Sequence, residues 1–236
     1  MNNKRIVSFW SRIINVLSPR VCSACGRRLN MDERQVCCRC NLHMPRTYFA
    51  RTPLDNEMAR MLWGQIPVER AAALFYYKTG SRLTRVVHRM KYGNSPLTGE
   101  EMGCMLAKEM VPDGFFEGVD LLVPVPLTPA RQRERGYNQS MELAKGISKV
   151  TGLAIARNVV RRTKFDVSQT HKRGTERMKN VENAFKLVDG RRIAHRHVMV
   201  VDDVMTTGAT IIHCARELLK AGDVKISVVT MAFTKN

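Results

Sequence analysis

A chain of 236 residues with 39 Lys and Arg against 21 Asp and Glu carries a formal net charge of +18, an excess suited to polyanionic partners, whether nucleic acid or a phosphate-rich small ligand. Its 44% hydrophobic content can bury the core of one large domain, or of one domain with a small module, so a soluble globular protein is expected. No apolar run approaches the ~20 residues that cross a bilayer, and Arg12 and Asn15 interrupt the first apolar segment before it can serve as a signal sequence; the expectation is a cytoplasmic protein without membrane insertion.

The first predicted element is an amphipathic helix over Ile6 to Leu17, with Ile6, Phe9, Trp10, Ile13, Ile14 and Leu17 at helical spacing. Residues 1 to 51 hold ten Lys and Arg against Asp32 and Glu33 alone. Within this basic region Cys22, Cys25, Cys37 and Cys40 follow the pattern C-x2-C-x11-C-x2-C. Each C-x2-C turn aims two sulfurs at one centre and the loop between brings the pairs together, so the pattern predicts a ribbon closed around a structural Zn2+. Four thiolates leave no open coordination position for catalysis. Cys38, a fifth sulfur inside the second pair, leaves the choice of ligands open. A disulfide pair and free buried thiols are the alternatives, the first disfavoured in a reducing compartment. The predicted organisation is 1-50 for the N-terminal helix and ribbon and 51-236 for a larger domain.

The larger domain reads as strands alternating with helices. A short helix at Asp55 to Leu62 precedes an apolar strand at 71 to 77. Helices follow at Ser81 to Met90 and Pro96 to Met110, then a strand at 120 to 126 and a helix over Tyr137 to Val150. Further strands are expected at 159 to 162, 184 to 188, 198 to 201 and 225 to 231, with a helix from Gly208 to Ala221 between the last two. Residues 157 to 179 carry eight Lys and Arg against Asp166 and Glu176, and Thr163 to Lys179, lacking apolar periodicity, reads as a loop. Such alternation predicts an α/β fold with a mainly parallel sheet and helices on both faces. Cys104 and Cys214 fall on predicted helices as core residues. His88, His195, His197 and His213 have no spacing that signals a metal or a base. An aromatic content of 6% offers no obvious stacking platform for bases.

The stretch V-M-V-V-D-D-V-M-T-T-G-A-T-I, Val198 to Ile211, sets two carboxylates where a buried strand meets a hydroxyl-rich turn. Ligands of parallel sheets bind at strand carboxyl ends, where the turn into the next helix presents N–H groups and a positive dipole end. Thr206, Thr207, Gly208, Ala209 and Thr210 are therefore candidates to wrap a phosphate. Asp202 and Asp203 would repel that phosphate but accept hydrogen bonds from vicinal hydroxyls on the same ligand. A terminal phosphate near a diol describes a ribose 5-phosphate.

This motif resembles the signature of the type I phosphoribosyltransferases, which bind phosphoribosyl pyrophosphate together with Mg2+. Neither G-x-x-x-x-G-K-[ST] nor G-x-G-x-x-G is present to compete with it. Over nearly the whole chain, the order of four-cysteine ribbon, L-L-V-P-V-P-L with R-Q-R-E-R-G-Y-N-Q-S, R-R-T-K-F-D-V-S-Q-T, E-R-M-K-N-V-E-N-A-F and the Asp-Asp motif is similar to the ComF family of competence-related proteins. The resemblance implies a type I phosphoribosyltransferase fold with an N-terminal zinc ribbon. It implies a pyrophosphate-side loop matched by Arg131, Arg135, Gly136, Asn138 and Gln139, and a hood over 163 to 179 in which Lys172, Arg173 and Arg177 face the leaving group. Lys91, in a K-Y-G turn that also recurs in the resemblance, is a further ligand candidate. The position at which purine-salvage members carry an Asp is Thr206 here, so an ordinary hypoxanthine or guanine enzyme is not implied. Two classes of function remain: phosphoribosyl transfer to an unassigned acceptor or hydrolysis of the donor, and single-stranded-DNA handling in DNA uptake or utilisation with competence-machinery proteins as partners.

Overall fold

The computed structural model describes residues 20–163 and 184–235, so the predicted helix at Ile6 to Leu17 and all but Thr163 of the predicted hood lie outside the described residues. Five strands form one wholly parallel sheet in the order β1-β7-β6-β2-β3. They are β1 Arg70–Tyr77, β2 Leu121–Pro124, β3 Ala154–Ile155, β6 His197–Met205 and β7 Lys225–Thr234. The long members are near-continuous apolar runs, which suits strands covered on both faces. β1 and β7 pair in register from Arg70↔Ser227 to Tyr77↔Thr234. The outer edge of β1 is covered by the chain between Pro45 and Pro53, with Tyr76 N–H donating to the Pro45 carbonyl and Ala71 N–H to that of Pro53.

The helices are α1 Cys38–His43, α2 Glu57–Leu62, α3 Arg82–Tyr92, α4 Pro96–Met110, α5 Pro129–Arg135, α6 Gln139–Thr151 and α7 Ala209–Leu219. Their placement follows from the strand order. The connection β2-α6-β3 runs toward one edge of the sheet and β6-α7-β7 toward the other. Right-handed crossovers in opposite directions put α6 and α7 on opposite faces. They also make the adjacent ends of β6 and β2 the point where the winding reverses, which is where an open parallel sheet forms its ligand crevice.

Close approach of α4 and α6 depends on two glycines. A Cβ on Gly103 would meet the Leu143 carbonyl oxygen at 2.1 Å, and one on Gly146 the Glu100 carbonyl oxygen at 1.9 Å. This packing holds α6, and the first turn it presents to the crevice, against the rest of its layer.

Three expectations change. The segments at 159 to 162 and 184 to 188 leave the main sheet and pair only with each other, antiparallel, as β4 Val160–Arg162 and β5 Phe185–Leu187. Arg161 and Lys186 occupy exposed positions, so this hairpin buries one face and not the two that a central parallel strand buries. The arginine-rich segment expected as a loop is the two-turn helix α5. Thr128 caps it by accepting the Arg131 N–H at 3.3 Å, Pro129 opens it and Gly136 closes it in the left-handed region. Finally, β6 continues to Met205, so Asp202 and Asp203 lie within the strand and not beyond its end.

Candidate ligand pocket and four-cysteine centre

At the carboxyl end of β6 the two acids have different partners. Asp202, 9% exposed, accepts from the Ser140 hydroxyl at 2.9 Å and from the Asp203 N–H at 2.9 Å. Asp203 pairs with Lys91 Nζ at 2.8 Å and accepts the Val204 N–H at 2.7 Å. Burial, and then the adjacent Asp203 charge, push the Asp202 carboxyl up to about 7, while Ser140, the Asp203 N–H and Lys91 pull the other way.

Arg131, Arg135 and Arg162 join Lys91, Asp202, Asp203, Thr206 and Thr210 around a cavity of about 330 Å3. Four cations face two carboxylates, so the cavity is unbalanced toward binding an anion. The Arg135 guanidinium lies 5.7 Å over the Tyr92 ring and donates to Gln139 Oε1 at 2.8 Å, while its buried Nε has no partner among the described residues. Arg162 sits 5.2 Å over Phe185, and its buried Nε likewise has no partner among the described residues. Burial, followed by the charge of Arg131, pulls the Arg162 pKa down, and Asp202 opposes that pull. A desolvated guanidinium beside two others gains from an anion that neutralises it.

The turn into α7 forms a separate small hollow lined by Thr206, Thr207, Gly208, Ala209 and Thr210. No side chain caps this helix, so its first N–H groups remain available to a ligand. Gly208 sits at φ +78°, and a Cβ there would meet Met205 Cε at 2.9 Å.

Of the residues singled out from sequence, Lys91, Arg131, Arg135, Asp202, Asp203, Thr206 and Thr210 line one cavity, and Thr207, Gly208 and Ala209 border it through the α7 turn. Arg177, with Lys172 and Arg173, lies outside the described residues. Gly136 caps α5. Asn138 caps α6 by accepting the Ser140 N–H at 3.0 Å and ties that helix to β2 by donating to the Val125 carbonyl at 2.9 Å. Gln139 is buried, donating to the Met90 carbonyl at 3.2 Å as well as accepting from Arg135. Two residues were missed. Ser140 closes the R-G-Y-N-Q-S run and Arg162 opens R-T-K-F, but neither type at these places signals a contact with a carboxylate 62 residues away or a place in a cavity between strands.

The four cysteines expected as metal ligands converge, with the Sγ atoms of Cys22, Cys25, Cys37 and Cys40 all within 4.8 Å of one another. Cys25 and Cys37 sulfurs are 3.9 Å apart, close to the ~3.8 Å edge of a tetrahedron with metal–sulfur bonds of ~2.3 Å. Backbone N–H groups of Cys37 and Cys40 point at the sulfurs of Cys22 and Cys37, at 3.3 and 3.4 Å. Burial pushes the Cys37 thiol up, but the Cys40 N–H, the Arg27 guanidinium and the neighbouring thiols outweigh it and bring it down to about 6. These donors fit a metal ion such as zinc. Cys38 is exposed on α1 and lies outside the cluster of four sulfurs. The unit docks on α4 through buried Thr98, which donates to Gln35 Oε1 at 3.0 Å and contacts the Ser23 hydroxyl at 3.4 Å.

This parallel sheet, with the Asp-Asp pair at its winding reversal, is the α/β arrangement with a mainly parallel sheet expected from the alternation of strands and helices. No protein-family model matches the chain. Similar solved chains are a glutamine phosphoribosylpyrophosphate amidotransferase from B. subtilis complexed with ADP and GMP (19% identity, TM-score 0.41, 58% of this chain and 26% of that one) and an allosteric regulatory enzyme of purine biosynthesis (20%, TM-score 0.39, 57% and 25%). The present chain thus spans about a quarter of the length of each. Among curated relatives, DNA utilization protein YhgH of Escherichia coli K12 is 28% identical over 211 residues, 88% of both chains. Competence protein F of Haemophilus influenzae is 36% identical over 110 residues, 46% of this chain and 48% of its own, and competence protein ComFC of Bacillus subtilis 32% over 114 residues, 48% and 42%. Together with the order of motifs along the chain, these matches make the protein similar to DNA-utilization and competence proteins.

Proposed function

We propose that the crevice between β6 and β2 binds phosphoribosyl pyrophosphate with Mg2+, and that a structural zinc ion closes the four-cysteine unit. The single observation behind the first reading is the assembly of a paired carboxylate, an uncapped helix start and three arginines at one winding reversal. Asp202 and Asp203 accept from the ribose hydroxyls, the turn at Thr206 to Thr210 holds the 5-phosphate, and Arg131, Arg135 and Arg162 face the pyrophosphate. In this reading Lys91 anchors Asp203 and Ser140 aims Asp202, so the diol meets fixed acceptors. Mg2+ supplies charge neutralisation on the diphosphate when bound. Arg177 completes the arginine set as a proposal from the motif alone. A cleft of about 770 Å3, sharing Leu127 and Arg162 with the donor pocket, gives an acceptor room on the other side of that wall.

A second reading rests on the +18 charge and on the names of the relatives: a cytoplasmic factor that binds single-stranded DNA during uptake or utilisation, alongside competence-machinery proteins. The two readings are compatible. Calorimetric titration with phosphoribosyl pyrophosphate and Mg2+ tests the first. Saturable binding weakened about 10- to 100-fold by Asp202→Asn or Asp203→Asn is expected from the loss of a charged hydrogen bond. Unchanged binding by a folded double variant would sink the donor reading.

A further inference from the structure

The outer face of α3 is one-sided in charge. Its sequence, R-L-T-R-V-V-H-R-M-K-Y, contains no acid, and its apolar residues Leu83, Val86, Val87 and Met90 are buried against the core. That leaves Arg82, Arg85, His88 and Tyr92 exposed, at spacings that keep them near one another along the helix. Neither the Arg82 nor the Arg89 side chain has a hydrogen bond or an ion pair to any described residue, and the Arg85 guanidinium reaches only the Ala24 carbonyl, at 3.5 Å.

The carboxyl end of this helix carries an aromatic platform that composition did not signal. Tyr92, 59% exposed, packs against His88 with ring centroids 5.0 Å apart and planes tilted by 46°, and the Arg135 guanidinium lies over the same ring. Lys91, one residue earlier, is already inside the donor pocket on Asp203. The amino end of α3 lies beside the four-cysteine unit, where Arg82 shares a hollow with His43 and Met44. A cationic stripe ~16 Å long therefore runs from the cysteine unit to a stacking platform at the mouth of the pocket.

We infer that α3 is the track of a single nucleic-acid strand, with phosphates on Arg82 and Arg85 and one base stacked on Tyr92. This rests on the single-strand reading above and assigns it a surface distinct from the donor pocket. Cations spaced along a helix suit a charged backbone, and an exposed ring with a guanidinium beside it suits a base freed from pairing. A duplex keeps its bases stacked inside and offers Tyr92 no face.

The test is fluorescence anisotropy of the full chain with a labelled oligothymidylate, titrated at several salt concentrations. Arg82→Gln with Arg85→Gln should weaken binding and lower the slope of log K against log salt by about 0.7 for each phosphate no longer neutralised. Tyr92→Ala should weaken it about tenfold with the slope unchanged, and Tyr92→Phe should restore it. A double variant with unaltered affinity and slope, or a blunt duplex bound as tightly as the single strand, would overturn the assignment. So would strand binding abolished by Asp202→Asn or by excess phosphoribosyl pyrophosphate yet indifferent to Arg82 and Arg85, since the strand would then occupy the donor pocket. The double-arginine variant should bind the donor as wild type does; a failure of donor binding in every form counts against the donor reading alone.

Discussion

Asp202 is where burial and chemistry oppose each other. Its carboxyl is raised to about 7 by desolvation and by Asp203, yet a diol needs it ionised as an acceptor. In an unfolded chain the same group titrates near ~4, so between these values the folded state holds a proton that the unfolded state has released. The contribution of Asp202 to stability therefore falls as pH rises through that window and levels off above about 7. On the proposed donor reading, affinity should run the opposite way and strengthen as pH rises through about 7. Asp202→Asn should flatten both trends. Thermal midpoints across that window, with titrations at pH 6 and pH 8, check this, and a wild-type affinity unchanged between the two would contradict it. The tandem acids were legible in V-V-D-D-V-M-T-T-G-A-T because two carboxylates ending an apolar strand have no packing explanation. Their unequal environments were not, because Ser140 and Lys91 reach them from α6 and α3.

Among the elements, α6 and the cysteine unit carry separate predictions. Gly146 lies where a Cβ would fall 1.9 Å from a carbonyl oxygen, so Gly146→Ala must push α4 and α6 apart. Overpacking of this kind costs about 1–3 kcal/mol, which for a chain of this size lowers the melting midpoint by about 2–4 °C per kcal/mol. Because α6 carries Ser140, donor affinity should fall with it. Calorimetric melting and titration of the one variant measure both effects. For the cysteines, Cys37→Ser should lose bound metal and Cys38→Ser should keep it, read by metal analysis under reducing conditions. Chelation should also lower the melting midpoint of the full chain, since Thr98 and Gln35 join the unit to α4. Helix starts and stops were largely legible here. T-P-A-R-Q-R-E-R-G holds every signal of α5, yet the resemblance implied a loop. The hairpin β4-β5 was misassigned for another reason: a short apolar run does not say which neighbour it will pair with.

At the scale of the molecule, the parallel sheet brings into one crevice residues from α3, α5, β4, β6 and α7. Its winding reversal between β6 and β2 makes that crevice, and α3 lies beside it, so the crevice and the cationic face of α3 share a rim at Lys91 and Tyr92. Coupling should follow. Donor affinity measured with a saturating single strand should differ from that measured without it, and linkage requires the strand's affinity to shift by the same factor. Equal affinities in both titrations would mean that the rim transmits nothing between the sites.

The sequence by itself determined the features written in short spacings: the two C-x2-C turns, the Asp-Asp pair with its glycine-bearing turn, and the alternation that predicts a parallel sheet. Local stereochemistry sets these, and a few neighbouring residues suffice. Only the tertiary structure decided that Cys38 lies outside the cysteine cluster, that Arg162 enters the pocket, that Lys91 and Ser140 divide the two acids, and that Tyr92, His88 and Arg135 form one platform. Each of those depends on which elements become neighbours, and that choice is made by burial of apolar faces across the whole chain.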